Sequence, residues 1–129
     1  MKNAPDRRPV KNRSGSAAVE MAIVLPLVLL FIIGLTEFGR AIWIKATLDY
    51  AVEAAARCAV INTTVCGSAA QVQSYAVSRS PGLTLNASTF TLTAGTCGMQ
   101  VSASLPFQFV APSLFPLALT FTSTACYPT

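Results

Sequence analysis

Five residues stand out as capable of chemistry: Cys58, Cys66, Cys97, Cys126, and Glu20, a carboxylate inside an otherwise apolar run. None of the cysteines falls in a C-x-x-C spacing, so neither a zinc knuckle nor a dithiol redox centre is encoded. An even count instead predicts disulfides, which persist in oxidising compartments. Histidine is absent, and with it the commonest general base and metal ligand. A hydroxyl nucleophile would need another base, and the only lysine beyond position 11, Lys45, belongs to a predicted helix stem. An enzyme is therefore disfavoured, and no catalytic residue, metal site, cofactor or small-molecule substrate is expected.

The net charge of +4 arises at one end. Lys2, Arg7, Arg8, Lys11 and Arg13 against Asp6 all precede Gly15; afterwards Arg40, Lys45, Arg57 and Arg79 balance Glu20, Glu37, Asp49 and Glu53. Nothing charged follows Arg79. The basicity is that of a tail, which gives no reason to expect a nucleic-acid partner. With 53% hydrophobic and 11% charged residues, part of the chain should meet something other than water.

That part runs from Ala17 to Leu35, AAVEMAIVLPLVLLFIIGL, whose 19 residues reach about 28 Å as a helix, close to a bilayer core of about 30 Å. The cationic residues precede it and Trp43 follows at interfacial depth, so the positive-inside bias places residues 1–15 in the cytoplasm and the cysteines outside. A removable signal peptide fits poorly. The first small-x-small site beyond the run, around Ala54–Ala56, lies past Glu37, Arg40, Lys45, Asp49 and Glu53. Glu20 would cost a few kcal/mol in lipid without a partner. Two readings stand: headgroup depth near a helix N-terminus, favoured by about 0.3–1 kcal/mol, or pairing with a neighbouring subunit.

Stepping outward, only Pro26, Gly34 and Gly39 interrupt the chain from Ser16 to Ile61, which predicts one helix of roughly 46 residues. Glu37 with Arg40, Lys45 with Asp49 and Glu53 with Arg57 are spaced to pair as solvated helix pairs. Alanines 51, 54, 55, 56 and 59 form a strip that another element can approach closely. The helix should end within Asn62–Gly67, after which Ser68-Ala-Ala-Gln71 reads as a capping box for a short second helix ending at Ser80.

The period then becomes two. Phe90, Leu92 and Ala94; Met99, Val101 and Ala103; and Leu117, Leu119 and Phe121 predict three strands, with a tight turn at Ala94–Gly98 and a proline-rich crossover from Leu105 to Pro116. The crossover is apolar for a loop: it either packs back onto the sheet or presents a binding surface. Of three cysteine pairings, Cys58–Cys66 and Cys97–Cys126 suit this layout. The second needs a bulge or a frayed strand end, because Cys97 shares a face with Met99 whereas Cys126 shares one with Thr122.

One local arrangement goes further: basic residues, Gly15-Ser16, Glu20 five positions after the glycine, then the apolar run. This resembles a prepilin processing site, which implies cleavage between Gly15 and Ser16 and a new amino group able to pair with Glu20 of a neighbour. Met21 departs from the aromatic many such sites carry. Residues 14–60, with their Val19-Glu20, Leu25-Pro26, Glu37-Phe38-Gly39-Arg40 and Ala55-Ala56-Arg57 punctuation, resemble the TadE-like proteins of the tight-adherence pilus system. The resemblance implies a minor pilin or pseudopilin of the bacterial inner membrane, with a prepilin peptidase, other pilins and an assembly platform as partners, and subunit packing through Glu20; Pro26, read from the helix itself, is either an ordinary membrane proline or a further point of subunit packing. The alternative is an unprocessed bitopic protein with a small partner-binding outer domain.

The expected fold is thus α+β and pilin-like, a long N-terminal transmembrane helix with a short second helix and a small three-stranded antiparallel sheet on its outer half. The expected division is a basic leader over 1–15, the transmembrane part of the helix over 16–44, and a periplasmic or extracellular domain over 45–129.

Overall fold

The computed structural model describes residues 14–129, so the leader expected over 1–15, all but its last two residues, lies outside the described residues. Ser14–Ile61 forms one α-helix, α1, with Pro26 inside it. By contact the chain divides between Thr36 and Glu37. In the first unit, the described part is α1 alone. From Gly15 to Ile32 its side chains are exposed, a window long and apolar enough to cross a membrane.

The second unit begins at Glu37 and holds all the remaining elements. Here α1 acquires a buried stripe at Leu48, Ala51, Val52, Ala55, Ala56 and Ala59, whose three- and four-residue steps keep it on one face. The small side chains let the covering elements come close. After Ile61, Asn62 caps a single helical turn, α2 (Thr63–Cys66), by accepting a hydrogen bond from the Val65 backbone N–H at 3.2 Å. The capping box at Ser68 and Gln71 then starts α3 (Ala69–Ser78). The extra turn α2 and the end at Ser78 rather than Ser80 differ from the sequence expectation. Ser80 instead closes the helix end, its hydroxyl donating to the Ala76 carbonyl at 3.0 Å.

A 3₁₀ turn at Ala87–Thr89 leads into β1 (Phe90–Gly95), β2 (Gly98–Phe107) and β3 (Leu119–Tyr127), an antiparallel sheet in the order β1-β2-β3. The architecture is the α+β one expected. Phe90, Val101 and Ala103 face the helix and join its alanines in one core, with Leu92, Met99, Leu105 and Phe121 packed at its margin. Full burial of a side chain such as Phe90 stabilises by about 1.5–3 kcal/mol. The Gln73 side chain donates to the Phe90 carbonyl at 2.8 Å, tying α3 to β1.

The strand limits correct the sequence reading at both ends of the crossover. Leu105-Pro106-Phe107 belongs to β2, not to the crossover, and β3 starts at Leu119 rather than Leu117. Pro106, which lacks a donor, is tolerated because β1 pairs no further along β2 than Ala103, leaving β2 with one neighbour there.

Candidate functional site

Both disulfides form within the second unit, Cys58 with Cys66 and Cys97 with Cys126. The first is buried and joins the end of α1 to α2; the second is exposed. The face conflict anticipated for Cys97 does not arise, because Cys97 lies in the two-residue turn before β2. Gly98 has φ +117°, which breaks the pleat between Cys97 and Met99 and turns the sulfur toward β3.

Of the residues tied to processing, Gly15, Ser16 and Glu20 occupy the first turns of α1, and all three are exposed. A Cβ added at Gly15 would meet nothing among the described residues within 4 Å, so the fold itself sets no steric demand for glycine there. Pro26 is likewise exposed.

Three charge pairs were expected to be alike, and they are not. Lys45 pairs with Asp49. Burial acts to raise the Asp49 pKa, but hydrogen bonds from Lys45 and Ser123 and the lysine charge outweigh it and hold the carboxyl below its ordinary value. Ser123 is buried on the inner face of β3, so Asp49 links helix to sheet. Glu53 and Arg57 form no ion pair among the described residues; they line an open groove of about 590 Å³ with Tyr50, Tyr75 and Arg79. Exposed pairs of this kind gain little over hydration.

Glu37 and Arg40 depart furthest from a solvated pair. Glu37 is only 6% exposed. Its Oε1 accepts the backbone N–H of Val110, while Arg40 donates through Nη2 to the Gln108 carbonyl. Arg40 Nη1 faces Glu37 Oε2 at 3.2 Å without a well-aligned hydrogen bond, and the guanidinium lies 4.9 Å from the centre of the Phe107 ring. Phe107 meets Phe109 edge-on at 4.8 Å, and Phe109 stacks on Phe115 at 5.7 Å. The helix therefore holds the loop 108–118 by its backbone, and aromatic rings pack beneath it. The signal available in the sequence was general: a proline-rich loop has backbone groups with no ladder to join, and these need side-chain partners.

The loop packs back only in part. Its phenylalanines pack inward, but Val110 is 76% exposed, Leu114 50% and Leu117 68%.

A helix long and apolar enough to cross a membrane, joined to a small, disulfide-braced α+β body, is the class these features define. Residues 15–57, most of the long helix, match the family model described as TadE-like protein. The matched segment includes Gly15, Glu20, Glu37 and Arg40. No curated protein and no solved structure matches the chain.

Proposed function

We propose that this chain is a structural or assembly component of a tight-adherence pilus, a minor pilin or pseudopilin cut by a prepilin peptidase between Gly15 and Ser16. The observation that carries the reading is an apolar helix with no burial of its own along Gly15–Ile32 and a carboxylate, Glu20, five residues after Gly15. Such a helix needs lipid or like helices as its solvent. Once the leader is removed, the amino group of Ser16 offers Glu20 of a neighbouring subunit a cationic partner, which offsets the cost of a carboxylate in an apolar bundle. The exposed Pro26 marks a place where neighbouring helices meet. The body then stands on the oxidising side, where its two disulfides persist, and residues 1–15 stand in the cytoplasm. On this reading the anchor is residues 16–44 and the outer domain 45–129, and the role is non-enzymatic.

Intact mass of the chain recovered from membranes of a host with its prepilin peptidase tests the proposal. A product beginning at Ser16 is expected, and Gly15→Leu should leave the full-length chain. Full-length protein from the unaltered sequence would favour the bitopic reading, in which the leader stays and the outer domain binds a partner.

A further inference from the structure

From the free edge of the sheet we infer that β3 accepts a fourth strand: an extended, otherwise uncharged segment of another protein, laid along β3 with one lysine or arginine over Asp49 and Glu53. The inference concerns the second unit alone and holds whether the leader is cut or stays.

The two edges of the sheet differ. On one side β1 is six residues long, α3 packs against it, and the Gln73 side chain takes its Phe90 carbonyl. On the other β3 is nine residues long, about 30 Å of extended chain. In an antiparallel ladder every second residue of an outer strand turns both its N–H and its C=O away from its neighbour. Along β3 no hydrogen bond among the described residues reaches those groups from beyond the sheet. Edges kept from pairing carry a charge, a proline or a bulge. Leu119–Tyr127 has neither charge nor proline, and its register with β2 runs unbroken from Phe107 opposite Leu119 to Met99 opposite Tyr127. Strand addition is the recognition mode such an edge supports: main-chain hydrogen bonds hold the segment, and pockets for its alternate side chains select it.

A pocket of the required kind lies beside this edge. Asp49, Glu53 and Ala56 of α1, together with residues 123–128, line an open groove of about 500 Å³. The charges in its lining are two carboxylates. The hydrogen bond from Ser123 fixes Asp49 next to β3, and Asp49 also pairs with Lys45. Glu53 is exposed and forms no ion pair among the described residues. A segment lying along β3 turns every second side chain toward the helix, so one of them comes over these carboxylates. A cation is the charge that fits there. A second copy pairing through its own β3 supplies no cation on that strand, because no charged residue follows Arg79. Charge therefore favours a foreign, basic strand over a copy of this one.

The test uses the full chain in detergent micelles and peptides of the same length as β3 with blocked termini, in which valine alternates with threonine and the central valine is replaced by arginine. Fluorescence anisotropy of the labelled peptide measures binding, and amide hydrogen exchange locates it. The arginine peptide should bind and slow exchange along 119–127 while the β1–β2 ladder stays unchanged. Glutamate in place of the arginine should weaken binding about fivefold or more, and Glu53→Arg should remove that preference. Of two arginine peptides N-methylated at alternate residues, one at odd and one at even positions, only one should still bind, because an added strand hydrogen-bonds to β3 along one side. Retention or loss of both methylated forms, equal binding of the arginine and glutamate peptides, or no binding by any peptide would each overturn the inference. So would exchange along 119–127 that is already slow without peptide and quickens on dilution, which would mean that a second copy occupies the edge.

Discussion

Glu37 accepts a hydrogen bond from the backbone of Val110, 73 residues further along the chain. Together with Arg40 on Gln108 it makes two residues of the segment that matches the TadE-like model into the support for the apolar loop of the body. A buried carboxylate beside an arginine is otherwise weak grounds for stability, because desolvation offsets much of the attraction. Here its consequence is positional: the pair decides where the loop is held.

Removal of that support has a defined signature. Glu37→Ala should destabilise the detergent-solubilised chain by about 1.5–3 kcal/mol, the range for a hydrogen bond to a charged group. Amide hydrogen exchange should rise sharply at Val110 and across 108–118, while the β1–β2 ladder changes little. Unaltered exchange at Val110 would mean that the aromatic packing alone holds the loop.

The two disulfides should differ in access and in effect. Reduction under native conditions followed by alkylation and peptide mass analysis should label Cys97 and Cys126 first, since that pair is exposed and the Cys58–Cys66 pair is buried. Loop closure across 29 residues rather than 8 also predicts the larger loss for the double alanine variant of Cys97 and Cys126. The chain-entropy relation gives about 3.5 against about 2.5 kcal/mol.

Gly82 has φ +76°, and a Cβ there would approach Trp43 Cη2 at 2.7 Å. Gly82→Ala should cost at least about 1–2 kcal/mol from the left-handed backbone alone, with steric overlap in addition. Trp43→Phe in the same chain should recover only the steric part. Chemical denaturation of the single and double variants measures both contributions, and full recovery would show that the backbone conformation relaxes freely.

Asp49 sets a limit at acid pH. Its folded pKa lies below the ordinary carboxylate value, so its contribution is complete above that value and is lost as pH falls through the folded one. The effect should be small because the side chain is half exposed. Denaturation midpoints of the unaltered chain and Asp49→Asn should differ near neutral pH and converge in strong acid. A constant difference over that range would assign the change to packing against Ser123 instead of charge.

The sequence alone determined whatever depends on local pattern. A run of nineteen residues, apolar but for Glu20, after a cationic stretch is long and apolar enough for one helix to cross a membrane, a glycine and a glutamate five apart single out the processing candidate, and Ser68 with Gln71 places a helix start to the residue. Period-two alternation identified three strands, because a pleated chain with one buried face must alternate. Tertiary structure decided what depends on where a strand's neighbour ends and on what faces a charge across space. Leu105-Pro106-Phe107 reads as loop until β3 pairs with it where β1 has stopped. Glu37 and Arg40 have the same local spacing logic as Glu53 and Arg57, yet the first two hold a distant loop and the last two line a groove. Helical spacing sets which charges are neighbours on their own helix; desolvation and the needs of unpaired backbone elsewhere in the chain set what those charges do.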